Sequence, residues 1–122
     1  MFNWEDFINL SRELFDINTQ HKEALYRTIM SRSYYGIFKQ VEDALKKSSS
    51  FIYFIKSQKK KLGSHERFIS YLKNHVDNRV RDFGILLEEL NGLRLMADYD
   101  AQEKVSRENS EKALKLAEKL SY

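Results

Sequence analysis

An all-α fold, an up-and-down antiparallel bundle of four or five helices, is what this sequence of 122 residues predicts, on three observations. It has no proline and only four glycines, so it lacks the turn residues that an all-β fold needs. Apolar residues recur at helical spacing along most of its length. Eight phenylalanines and seven tyrosines supply large side chains for one core, in a chain long enough for the single domain 1–122.

Asn3 is placed to cap a first helix, with Glu5 and Asp6 in its first turn. Trp4, Phe7, Ile8, Leu14 and Phe15 line one face of it. The polar residues 16–19 read as a turn, with Asn18 or Thr19 capping a long central helix over 22–47. Two apolar stripes run through that helix. One takes Ala24, Thr28, Ser31, Tyr35, Phe38 and Leu45, and the other Met30, Tyr34, Ile37, Val41 and Ala44. A surface helix carries one such stripe, so a helix with two is mostly wrapped by protein. Ser31, Ser33 and Gly36 let neighbouring backbones come close. Arg27 and Arg32 lie in the same wrapped stretch, and each needs a partner or an opening to solvent. They are either snorkelling core-helix arginines or part of a site.

The central helix is expected to end near 46–50. Phe51 to Ile55 is a run of five apolar residues that fits a buried strand or a short helix. Residues 46–64 carry six lysines and no carboxylate. That segment is either a solvated connection or a basic lip that meets phosphates. Ser64 is expected to cap a third helix over 65–77, with Phe68, Ile69, Leu72 and Val76 inward. A break at Asp77 and Asn78 precedes a fourth helix from Arg79 to Ala97, whose apolar stripe Val80, Phe83, Leu87, Leu90 and Leu93 arrives at Arg94. Ser106 caps a last helix with Ala113, Leu114, Ala117 and Leu120 inside. Glu108–Lys112 and Glu111–Lys115 are expected i,i+4 pairs on its outer face.

Composition narrows the function classes. The formal charge of +3 and pI of about 9.0 permit contact with nucleic acid. There is no cysteine, hence no disulfide, thiolate nucleophile or thiolate metal site, in keeping with a reducing cytoplasm. No apolar run approaches the roughly 20 residues that span a bilayer, and the start of the sequence is acidic, unlike a secretory leader. A cytoplasmic protein with no membrane partner is therefore expected. His21, His65 and His75 lack metal-ligand spacing, and no glycine-rich phosphate loop occurs, so neither metal nor cofactor is expected.

One polar cluster stands out, at Arg94, Asp98, Tyr99 and Asp100. Arg94 and Asp98 are i,i+4 and can meet on one helical face. The cluster is either a salt bridge that ends the helix or a small polar site facing a ligand or partner.

Taken together, the motifs resemble those of the HEPN superfamily of small helical domains, most closely its standalone prokaryotic branch. The matching residues are Arg27, Ser31, Arg32, Tyr34, Tyr35 and Phe38, then His65, then Arg94, Ala97, Asp98, Tyr99 and Asp100. The resemblance implies an up-and-down bundle that forms two-fold dimers. It also implies an RNA or nucleotide ligand, in a toxin–antitoxin or phage-defence setting, with a nucleotidyltransferase or another operon product as a protein partner. Nuclease members cut RNA without metal, using an arginine followed four to six residues later by histidine. Here Arg94 is followed by four residues and then Tyr99, a weak acid–base group whose ordinary pKa is about 10. The expectation is thus a binding module without that catalytic histidine, with Arg94, Asp98, Tyr99, Arg32, Arg27 and Tyr35 lining the ligand site. The alternatives are a metal-independent ribonuclease using Arg94 with Tyr99 or His65, and an interaction subunit such as an antitoxin or immunity protein.

Overall fold

The computed structural model describes residues 1–58 and 62–121. Six helices form in chain order: α1 (Asp6–Leu14), α2 (Lys22–Leu45), α3 (Ser49–Ser57), α4 (Ser64–Lys73), α5 (Asn78–Tyr99) and α6 (Arg107–Leu120). They pack as a helical bundle, with no strand among the described residues. The apolar run 51–55 resolves into a helix, so there are six helices rather than four or five. Ser48 starts α3 by accepting from the backbone N–H of Phe51. Of the lysine-rich stretch, Lys59, Lys60 and Lys61 lie outside the described residues, while Lys46, Lys47 and Lys56 are exposed.

The central helix α2 is the hub and touches α1, α4, α5 and α6. Its buried residues include Ile29, Met30, Tyr34, Ile37, Phe38 and Val41. They also include Ser33 and Gly36, which belong to neither expected stripe. They lie on a third line with Ile29, because α2 has neighbours on more than two sides. A Cβ on Gly36 would come within 2.7 Å of Ile8 Cγ1 and 3.3 Å of the Trp4 carbonyl, so α1 sits directly on the α2 backbone there. Ser11 of α1 is fully buried and donates to the Ile29 carbonyl at 3.4 Å. Conversely Ala24, Thr28 and Ala44 are exposed, since the ends of α2 run past its neighbours.

Several expected boundaries shift by one or two residues. Asn3 does not cap α1 itself; its Oδ1 accepts from the Glu5 N–H, which nucleates a turn ahead of Asp6. Thr19 likewise accepts from the His21 N–H one residue before α2. Gly63, not Ser64, is the cap position of α4, and α4 ends at Lys73. Val76 therefore falls in the connection, 91% exposed, rather than in the core. Asp77 is the cap of α5, its side chain accepting from the Arg79 N–H. Ser106 caps α6 as expected, within a capping box completed by Asn109. Glu111 and Lys115 pair at 3.0 Å. Lys112 instead reaches across to Glu89 of α5, at 2.9 Å, so the Glu108–Lys112 pair does not form.

No described helix is long and apolar enough to cross a membrane. At Gly84 the backbones of α4 and α5 come close together. A Cβ on Gly84 would meet Leu72 Cβ at 2.8 Å and the Lys73 nitrogen at 2.9 Å. A backbone atom cannot rotate away as a side chain can. Gly84→Ala should therefore cost about 1–3 kcal/mol, despite the higher helix propensity of alanine, as read by denaturant unfolding. An unchanged midpoint would contradict this packing.

Candidate functional site

The site forms where α2, the start of α4 and the second half of α5 meet. Tyr34 is at its centre. It is fully buried, and its hydroxyl lies 2.7 Å from His65 Nδ1. The guanidinium of Arg94 sits over the Tyr34 ring, 5.1 Å from its centroid. His65 also packs on Phe38, with centroids 4.2 Å apart. His65 and Arg94 thus meet the same tyrosine from two helices without a hydrogen bond to each other.

Arg94 is 3% exposed. A buried guanidinium must be paired or stacked. Its Nε and Nη2 both donate to Asn91 Oδ1, at 3.2 and 2.8 Å. Asp98 Oδ2 lies 3.8 Å from Nη1, an ion pair longer than a charge-assisted hydrogen bond. Tyr35 and Tyr99 complete the surroundings, their ring centroids 5.6 and 5.8 Å from the guanidinium carbon. Tyr99, the last residue of α5, is 73% exposed.

Arg32 lies on the other side of Tyr35, 5.0 Å from that ring centroid and 5.0 Å from the ring of Phe7. It donates to Ser31 Oγ at 3.3 Å, and Ser31 in turn donates to Asp98 Oδ2 at 3.4 Å. Among the described residues no carboxylate lies within ion-pair distance of Arg32. Two cations thus flank Tyr35, with the single carboxylate Asp98 on the Arg94 side.

Arg27 has a different task. It donates to the carbonyls of Met96, Ala97, Asp100 and Glu103, at 2.6–3.0 Å, and pairs with Glu23. The last carbonyls of a helix have no partner within it; Arg27 takes up that of Ala97, shares that of Met96 with the Asp100 N–H, and binds those of Asp100 and Glu103 in the connection that follows. The Glu23 carboxyl is held below its usual range by Arg27 and by the Val105 N–H. Arg27, which the sequence places among the ligand-lining residues, ties α2 to the end of α5 and lines a shallow pocket with Glu23, Asp98 and Tyr99. The sequence reading did not single out Asn91, although its spacing of three before Arg94 is a helical-neighbour signal.

Burial raises the Tyr34 hydroxyl above its ordinary range, partly opposed by the nearby charge of Arg94. Tyr34 stays a neutral phenol. Burial also lowers the His65 imidazole; Arg94 and Lys39 push the same way, and Glu42 opposes them. His65 is thus neutral near pH 7, and its Nδ1 shares one hydrogen bond with the Tyr34 hydroxyl. No group of three or more metal-ligating side chains occurs among the described residues.

The depressed imidazole has a stability consequence. Below about pH 6.5 the unfolded chain binds a proton that folded His65 refuses, so stability falls as pH falls through that window. Chemical denaturation at pH 7.5 and pH 5.5 should show a loss that shrinks in His65→Gln. An equal loss in both proteins would exclude this role.

No family model matches the chain, and no solved structure matches it. A protein of Methanocaldococcus jannaschii, described as uncharacterized protein MJ0992, is 32% identical over 118 residues, covering 87% of this chain. The chain spans 65% of that relative's length.

Proposed function

We propose that this chain is a HEPN-like, up-and-down helical module that binds RNA or nucleotide phosphate through Arg32, in a cleft that the buried Arg94 organises. It acts as a homodimer in a toxin–antitoxin or phage-defence setting. The observation that carries the reading is the arrangement about Tyr35: two guanidiniums against one ring, one of them without a carboxylate among the described residues. Arginine held flat on an aromatic ring keeps its outward N–H groups for a phosphate, and the ring reduces the entropy lost on binding. Ser31 and the half-buried Asp98 shape the floor between the two cations.

A second reading, a metal-independent ribonuclease, rests on His65. A neutral imidazole oriented by Tyr34 beside a buried arginine has the parts of an acid–base pair, with the histidine supplied by α4 instead of α5. In this reading the histidine missing five residues after Arg94 is replaced in space rather than in sequence.

Binding of labelled single-stranded RNA, followed by anisotropy across a salt series, tests the first reading. Arg32→Ala should weaken binding several-fold and flatten the dependence of log K on log salt by roughly 0.7–1. No binding by the wild type at low salt would end the proposal. Incubation of the same RNA in EDTA separates the second reading: cleavage lost in Arg94→Lys and in His65→Gln supports it, and intact RNA rejects it.

The dimer has its own support. On α5, Ile85, Gly92, Leu95 and Tyr99 follow one another at heptad-like spacing on the outer face, and the three large side chains are 53%, 44% and 73% exposed. Gly92 has nothing within 4 Å of where a Cβ would stand. A glycine in an exposed helix interior costs about 0.5–1 kcal/mol relative to alanine, which close approach of a second copy would offset. Gly92→Ala should stabilise the isolated fold while weakening self-association in sedimentation equilibrium. Self-association unchanged by Gly92→Ala would remove this face from the interface.

A further inference from the structure

The aromatic cluster before and within α1 is not accounted for by packing. Phe2, Trp4 and Phe7 lie with ring centroids 4.9, 5.4 and 5.8 Å apart, edge-on or tilted to one another. Phe2 is 52% exposed, and Trp4 and Phe7 are only half-buried. Each of the last two carries a cation: Arg32 over Phe7 at 5.0 Å, and Lys39 over Trp4 at 5.5 Å. The indole is pinned, because Trp4 Nε1 donates to Asp43 at 3.1 Å. Four acids surround the cluster: Asp43 accepts from Trp4, Glu42 pairs with Lys39 and Lys46, Asp6 accepts from Asn9, and Glu5 accepts from Ser121. Arg32 is shared between this cluster and Tyr35, so the cluster is continuous with the proposed phosphate site.

We propose that Phe2, Trp4 and Phe7 form a stacking platform for an unpaired base of single-stranded RNA whose adjacent phosphate sits on Arg32. This rests on the phosphate reading of Arg32 and specifies the substrate class. Aromatic faces next to a guanidinium match one nucleotide unit, a flat base beside a phosphate. A duplex hides its base faces and offers nothing to stack. The Arg32 guanidinium at the cluster's edge, with no carboxylate partner among the described residues, favours an anionic ligand over a neutral peptide.

Trp4 is the only tryptophan, so its fluorescence reports on the platform alone. A short single-stranded RNA oligonucleotide should quench Trp4 emission with the same midpoint as binding measured by anisotropy. The matching duplex and an abasic strand of equal length should not quench it. Phe2→Ala, a surface change that leaves the core intact, should weaken binding of the single strand about ten-fold. Binding without quenching, together with unchanged affinity in Phe2→Ala, would overturn the platform while leaving the phosphate site standing. An abasic strand that binds as tightly as the normal one would do the same. Absence of binding in the anisotropy channel would overturn both. A protein partner that competes for the cluster in place of RNA would show itself as Phe2→Ala losing that partner while RNA affinity is unchanged, which also rejects the platform.

Discussion

The buried guanidinium of Arg94 against the Tyr34 ring is the contact on which the rest of the architecture turns. A cation 3% exposed is costly unless its surroundings answer for it. Here the answer comes from three helices. The ring is supplied by α2, Asn91 and Asp98 by α5 itself, and α4 contributes His65, which fixes the tyrosine from the far side. The demand for compensation thus fixes how α2, α4 and α5 meet. Arg27 adds a second tie between α2 and the end of α5, through four carbonyls.

Three arginines that look alike in sequence end in three environments. Arg27 spends its donors on carbonyls, where its planar fork satisfies several acceptors at once. Arg94 is buried and stacked, with Asn91 as its best acceptor and Asp98 as a looser partner. Arg32 lies between Phe7 and Tyr35, 5.0 Å from each ring centroid, and among the described residues its one side-chain hydrogen bond is to Ser31. A group with charge, a fixed orientation and no counter-ion among the described residues suits an external anion. The polar path Arg32–Ser31–Asp98–Arg94 connects the partly exposed Arg32 to the buried Arg94, and Tyr99 stands at its exposed edge.

The helical fold was legible because proline-free, 3.6-periodic sequence leaves few other solutions, and most caps were found to within two residues. The meeting of the double-tyrosine helix with the Ala97–Asp98–Tyr99 segment was also foreseeable, from the ordered motifs and not from spacing alone. Other features were hidden for identifiable reasons. Periodicity says which residues share a face but not what that face meets. Ala44 and Val76 were accordingly read as core although helix ends and connections leave them exposed. For the same reason Trp4 and Phe7 read as inward, while their exposed partner Phe2 precedes any periodic segment. Whether an arginine caps a helix, as Arg27 does, depends on carbonyls some seventy residues away, which local pattern cannot see. The Tyr34–His65 bond joins residues 31 apart and has no local signature either.

The central claim is that Arg32 faces a phosphate while Arg27 is committed internally. Nitrogen-15 NMR of the arginine Nε–H groups, during titration with a short single-stranded RNA, tests it most directly. The Arg32 resonance should shift and sharpen as RNA is added, with Arg27 unmoved as a built-in control. A fixed Arg32 signal, or a larger response at Arg27, would contradict the account.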